Sequence, residues 1–164
     1  MTIRKTGMGD IEALAAVERS AAELFLGTHF ESAIGGETLH PDKHARAIAE
    51  GAHWVEEQGD AIAGLCCAHA MQKSLYIDEL AVGADFQGHG IGRRLMETAI
   101  AEARHGFSAV SLITDRTLPW NAPFYATLGF VEWDKPEAAI LAELADEEAD
   151  GFDMARRIAM ILRL

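Results

Sequence analysis

Apolar residues follow two rhythms along this chain, and the changes between them outline its elements. After residues 3–5, a short first strand, Ile11, Leu14, Ala15, Val17, Ala21, Ala22 and Phe25 recur at helical spacing behind Asp10, a residue type that caps helices. The rhythm lapses over residues 26–39, where Gly27, Gly35 and Gly36 mark a loop. A short helix follows over residues 41–50, with Pro41 tolerated in its first turn. Residues 53–57 and 61–70 are predicted strands joined by a hairpin turn at Gln58-Gly59-Asp60. Then come a strand over 75–82, a helix over 93–105 ended near Gly106, and the apolar strand Ala109–Asp115, expected to be central and buried on both faces. A helix over 121–128 ends at Gly129, a strand covers 130–133, and the helix Ala138–Ala149 leads to a closing strand over 157–164. This order predicts an α/β fold, a mixed sheet with helices on both faces.

No repeat, low-complexity tract or interdomain linker interrupts the pattern, so residues 1–164 are expected to form a single domain. Hydrophobic residues make up 49% and are spread along the chain, which excludes disorder as its ground state. No apolar run reaches the ~18 residues of a membrane span, and Met1-Thr2-Ile3-Arg4-Lys5 lacks the apolar core of a signal peptide. Cys66 and Cys67 are adjacent, so in a strand they point to opposite faces and do not pair. Reduced thiols in a cytoplasmic protein are expected, as small buried hydrophobes or as reactive groups. The net charge of -12 excludes a nucleic-acid surface, which needs a basic footprint. It serves solubility, or it attracts small cations such as amines.

The densest chemical signal is Gln87-Gly88-His89-Gly90-Ile91-Gly92, which follows a strand and opens a helix. Glycines allow a tight turn and leave backbone N–H groups uncovered, and the helix N-terminus adds partial positive charge, so the segment is a cradle for phosphate. Together with Leu80-Ala81-Val82 before it and Phe124-Tyr125-Ala126-Thr127-Leu128-Gly129-Phe130 after it, the stretch resembles the GCN5-related N-acetyltransferase (GNAT) superfamily. Gln87, Gly90 and Gly92 match the phosphate loop of that family, and Tyr125, Gly129 and Phe130 its later tyrosine motif. The resemblance implies a mostly antiparallel sheet of about seven strands whose fourth and fifth strands splay into a V holding acetyl-CoA. The pyrophosphate would meet the N–H groups of Gln87, Gly88, His89, Gly90, Ile91 and Gly92, and the pantetheine would pair along Leu80, Ala81 and Val82 like an added strand. The family often has an asparagine seven residues before the tyrosine, a position held here by Leu118. Asn121 stands four before it, as a coenzyme contact or as a helix cap.

Acetyl transfer to an amine needs a proton acceptor, a stabilised thioester oxygen and a protonated leaving thiolate. Tyr125 is the candidate acid, since a phenol carries its proton at neutral pH; otherwise it is an aromatic packing residue. A backbone N–H in the Leu80 to Val82 stretch serves the oxyanion. Glu79 is the candidate base, or a structural partner for a nearby loop; alternation puts Asp78 and Glu79 on opposite faces. Of the histidines His29, His40, His44, His53, His69, His89 and His105, only His40 and His44 have i, i+4 spacing, and Pro41 stands where a zinc-protease helix has its glutamate, so no metal is expected. His89 is expected to face solvent, and His29 lies in the probable acceptor loop. Nine acidic residues against Lys135 between Glu132 and Asp153 form either a solvated face or a rim drawing cations to the cleft.

Three other classes compete with an acetyl-CoA-dependent N-acetyltransferase acting on a primary amine of a small molecule or peptide. A non-catalytic acyl-CoA-binding module would keep the loop without needing Tyr125. A P-loop protein would need Gly-Lys-Ser/Thr where Gly92 is followed by Arg93 and Arg94. A dinucleotide oxidoreductase would use an acidic residue such as Asp115, but its glycine turn belongs near the start of a βαβ unit. The expected partners are an amine substrate, no nucleic acid and no membrane; dimers are common in the resembling family, and no feature of the sequence decides for a homodimer.

Overall fold

The structure, a computed structural model, describes residues 2–164. The strands are β1 (Thr2–Lys5), β2 (His53–Gln58), β3 (Ala61–Met71), β4 (Ser74–Val82), β5 (Ala109–Asp115), β6 (Val131–Glu132) and β7 (Arg157–Arg163). The α-helices are α1 (Ile11–Ala21), α2 (Pro41–Ala49), α3 (Ile91–Ala103), α4 (Ala122–Ala126) and α5 (Ala138–Ala149). The strands join one mixed sheet in the order β1-β2-β3-β4-β5-β7-β6. β4 and β5 run parallel, while β1–β2, β2–β3, β5–β7 and β6–β7 are antiparallel. This is the expected mixed sheet, with the closing strand inserted between β5 and β6.

Several local expectations shift. Asp10 stands at the N-cap of α1, but its carboxylate turns back into the preceding 3-10 turn, Met8–Asp10, where it accepts the Gly7 N–H at 2.8 Å and the Arg4 guanidinium at 2.7 Å. Past Ala21 the first helix tightens into a 3-10 turn, Ala22–Phe25. α3 starts at Ile91, ahead of the expected Arg93, because Gly92 is helical although it adds nothing to an apolar count. β6 keeps only Val131 and Glu132 of the expected 130–133.

The chain forms two compact units. The first holds residues up to His69 together with Asp78–Ala99; the second holds Ala70–Ile77 and Ile100–Leu164. In the first, Leu14, Val17, Ala47, Val55, Leu65, Cys67 and Ala81 make the core, so α1 and α2 cover the β3 face that carries Leu65 and Cys67. The opposite face of β3 receives α3. There Gly64 is needed for close approach, since a Cβ would lie 2.9 Å from the Ala81 carbonyl oxygen and 2.9 Å from Ile91 Cγ2. In the second unit Met71, Tyr76, Ile140 and Ala159 pack together, with Ile113, Trp133, Ala139 and Leu144 against them. Cys66 and Cys67 are free and buried, and burial pushes both thiols up, away from reactivity.

A buried polar chain runs through the first unit. Thr6 Oγ1 lies 2.6 Å from His53 Nδ1, and His53 Nε2 lies 2.9 Å from His44 Nδ1. His44 Nε2 is 2.8 Å from Glu18 Oε1, at ion-pair distance without the linear geometry of a hydrogen bond, and Glu18 Oε2 accepts the Leu39 N–H at 2.8 Å. All four side chains belong to buried residues, so the chain ties α1, α2, β2 and the segment after β1 by directed bonds. Burial, then the neighbouring His44, hold the His53 imidazole down to about 4 from its ordinary 6.5, against a small opposing pull from Asp10. A depressed histidine favours the fold above its unfolded value and loses that contribution as pH falls. Stability is therefore expected to drop through the window from 6.5 to about 4, at up to ~1.4 kcal/mol per pH unit. Urea midpoints measured across that window check this. His53→Gln should flatten the dependence, and an unchanged slope would assign it to other groups.

Candidate functional site

In the first unit the site begins where β4 outruns its ladder. Pairing with β5 covers Ser74 to Tyr76 against Ala109 to Ser111, while β4 continues to Val82. Leu80, Ala81 and Val82 lie on that continuation; Ala81 is buried and the other two are half-buried. Asp78 faces α2 while Ala81 joins the α1–α2 core, so strict alternation breaks between these two positions.

Past Val82 the chain is tied down on both sides. Gly83 N–H donates to the Ala63 carbonyl at 2.9 Å, and Ala84 N–H to Ser20 Oγ at 2.9 Å. Gln87 turns its side chain inward and donates from Nε2 to the Val82 carbonyl at 3.0 Å. It thus braces the loop, and a ligand would meet its backbone. Gly88 and Gly90 adopt left-handed conformations, with φ of 78° and 75°, which side-chain-bearing residues rarely hold. Gly88, His89 and Gly90 are exposed, whereas Ile91 is buried and anchors the start of α3. The helix then begins at Ile91, and the first turn of an α-helix presents backbone N–H groups that have no intrahelical acceptor. The result is a set of backbone donors at the positive end of a helix dipole.

Arg94 holds this loop in place, a role the spacing did not reveal. Its Nε and Nη2 bond the two oxygens of Glu56 at 3.0 and 2.6 Å, and its Nη1 donates to the His89 carbonyl at 3.0 Å. The Glu56 carboxylate is fully buried. Arg94→Leu should strand that charge and cost ~3–5 kcal/mol in denaturant unfolding, and Glu56→Gln combined with it should recover part of the loss. Equal stability of the single variant and the parent would contradict the pairing.

Further along the same unit, Asp78 Oδ2 lies 2.7 Å from His69 Nδ1, and Asp78 Oδ1 lies 3.8 Å from Lys43 Nζ. Glu79 is half-buried beside it. The sequence offered no sign of the His69–Asp78 pair, which forms across the hairpin between β3 and β4.

The remaining histidines are otherwise engaged or exposed. His40 Nδ1 accepts the Asp42 N–H at 3.2 Å and caps α2, and exposed His89 lies 3.3 Å from the Phe86 carbonyl. His29 is exposed in the loop between α1 and α2. His44, His53 and Cys67 bring donor atoms within 4.8 Å of one another, a grouping that residue spacing did not foretell. Both imidazoles are already committed to each other, to Thr6 and to Glu18, which makes the group part of the buried chain.

In the second unit Tyr125 lies on α4, buried, with its ring edge-on to Phe124 at 5.2 Å and to Phe130 at 5.8 Å. The Leu128 and Phe130 N–H groups return to its carbonyl, so the turn at Gly129 folds Phe130 back beside it. Asn121 makes no side-chain cap bond to α4, which removes that structural reason for its presence. Asp115 Oδ1 accepts from Thr117 N, Thr117 Oγ1 and Leu118 N at 2.8, 3.0 and 3.0 Å, committing the carboxylate to the turn after β5. The acidic segment is partly neutralised inside its own unit. Arg116 forks onto Glu132, Arg157 forks onto Glu147, and Arg156 bonds Asp153.

The acetyltransferase (GNAT) family model matches residues 18–130, a span that takes in β4, the glycine loop, α3 and Tyr125. The chain belongs to the GNAT family. Solved structures share the fold of this GNAT chain from end to end. A PaiA N-acetyltransferase from Thermoplasma acidophilum, in complex with coenzyme A, superposes with a TM-score of 0.74 at 17% identity over 99% of this chain and 98% of that one. The ribosomal-protein-S18-alanine N-acetyltransferase of Escherichia coli gives 0.69 at 21% identity, over 99% and 92%. The N-acetylglutamate synthase of Neisseria gonorrhoeae, complexed with coenzyme A and N-acetyl-glutamate, gives 0.73 at 23%; it spans 99% of this chain, which corresponds to only 35% of the synthase. At these identities the likeness is one of fold. Among the described residues no helix is long and apolar enough to cross a membrane.

Proposed function

We propose that this GNAT protein is an acetyl-CoA-dependent N-acetyltransferase that moves an acetyl group to a primary amine of a small molecule or peptide, by direct attack in a ternary complex. The observation that carries the reading is the continuation of β4 past its ladder into a left-handed glycine loop that ends on the N-terminus of α3. A pyrophosphate suits the N–H groups of residues 87–92, and a pantetheine amide suits the edge of Leu80, Ala81 and Val82. Asn121, without a capping role, is assigned a polar contact to the coenzyme. Tyr125 is assigned the acid that protonates the leaving thiolate, and a side chain beside the β4 edge, with Glu79 the candidate the sequence offers, takes the amine proton. Transfer from a thioester runs on proton donors, acceptors and N–H dipoles, so it calls for no metal.

Amine-bearing acceptors fit the names of the neighbours, an N-acetylglutamate synthase and a ribosomal-protein-alanine N-acetyltransferase. The net charge of -12 favours cationic amines, although the arginine pairs of the second unit weaken the contribution of its acidic segment. Free buried thiols fit a cytoplasmic setting. Thiol release from acetyl-CoA across a panel of amines tests the reading. The second-order rate for the best acceptor should fall as salt rises to physiological strength, where the Debye length is about 8 Å, and more for a diamine than a monoamine. An anionic best acceptor, or a salt-independent rate, would contradict the cationic part.

A further inference from the structure

We infer that the group that takes the proton from the acceptor amine is the His69 imidazole, held in place by Asp78, an inference that rests on the N-acetyltransferase reading above. The Asp78 carboxylate accepts at 2.7 Å from His69 Nδ1, so that nitrogen carries the hydrogen and the basic lone pair sits on Nε2. The Asp78 side chain is 5% exposed and the His69 side chain 20%, an anchor held inside with an imidazole that solvent still reaches.

The pair lies on the acceptor side of the first unit. Lys43 of α2 lies 3.8 Å from Asp78, and Cys67, two positions before His69 on the same side of β3, packs with Leu14, Val17 and Ala47. The dyad is therefore on the face covered by α1 and α2, the helices whose connecting loop is expected to select the acceptor. Asp78 precedes Leu80 by two residues, about 7 Å along the strand, so the dyad flanks the proposed pantetheine edge. An imidazole whose one nitrogen is held by a carboxylate keeps the other as proton acceptor, which suits a general base. Among the described residues, the titratable and charged groups near the dyad include Asp78 itself on β4, Lys43 and Arg46 on α2, and the buried thiols of Cys66 and Cys67 on β3.

In the step, the substrate ammonium gives one proton to His69 Nε2 and becomes a neutral amine. Its lone pair forms the C–N bond to the thioester carbonyl carbon. Collapse of the adduct breaks the C–S bond and leaves the electron pair on sulfur; the second amine proton balances the protonation of that thiolate. His69 then returns its proton to water, and the products are an amide, the free thiol and one released proton.

The test compares pH profiles of kcat/KM for one amine in the parent, His69→Gln, Asp78→Asn and Glu79→Gln, with acetyl-CoA affinity measured alongside by calorimetry. His69→Gln should lose about 10²–10⁴-fold at neutral pH, lose less at high pH where free amine is abundant, and lack the imidazole limb of the profile. Asp78→Asn should move the midpoint of that limb to lower pH, a shift that a purely structural carboxylate would not produce. Coenzyme affinity should hold in all of them. A His69→Gln profile within about twofold of the parent, or a loss in Glu79→Gln as large as in His69→Gln, overturns the assignment. A parent that transfers no acetyl group overturns the reading beneath it instead.

Discussion

Gly90→Glu is expected to remove most acetyl-CoA affinity from a protein that still folds. Gly90 is exposed and holds φ at 75°, so any side chain there strains the turn that aims the loop N–H groups. A Cβ would meet Arg94 Nη1 at 3.2 Å, so the single Nη1 bond to the exposed His89 carbonyl gives way by a few tenths of an ångström while the Nε and Nη2 fork onto Glu56 holds the fold. The added carboxylate would stand in the phosphate cradle with the wrong sign. Loss of one or two charge-assisted hydrogen bonds, at ~1.5–3 kcal/mol each, corresponds to about 10- to 10⁴-fold at ~1.4 kcal/mol per tenfold. Calorimetry on a variant with parental circular dichroism checks it. Unchanged affinity would move the phosphate away from this loop.

Tyr125→Phe should lower turnover by about 10²–10⁴-fold while coenzyme affinity changes little. The substitution keeps the edge contacts to Phe124 and Phe130 and removes only the phenolic proton, so stability should stay near the parent value. Turnover within about twofold of the parent would make Tyr125 a packing residue, the role its burial between two rings also supports.

What the residues disclosed in advance follows from the range of the interactions involved. Ala109–Asp115 and Ala138–Ala149 have the expected ends, because a continuous apolar run and a clean helical period are local signals. The glycine loop and the Tyr125 segment were legible for the same reason: their conformations depend on neighbours a few residues away. The bonds that hold them were not. Arg94 meets Glu56 across thirty-eight positions, and Thr6 meets His53 across forty-seven. His69 and Asp78 meet across a hairpin whose register no composition reveals. The residue type of Asp10 discloses its place at the start of α1 but not the partners of its carboxylate, Arg4 and the Gly7 N–H. The division into two units was equally hidden, since its boundaries fall inside β3, β4 and α3 and no linker marks them.

The measurement closest to the central claim is mass spectrometry of an amine panel incubated with the protein and acetyl-CoA, with free thiol followed in parallel. Acetyl-CoA-dependent N-acetyl transfer predicts at least one amine that gains an acetyl group in step with thiol release, and a loss of that product in Gly90→Glu and Tyr125→Phe. Tight binding of acetyl-CoA with no acetylated amine anywhere in a broad small-molecule and peptide panel would contradict it and leave an acyl-CoA-binding module on the same fold.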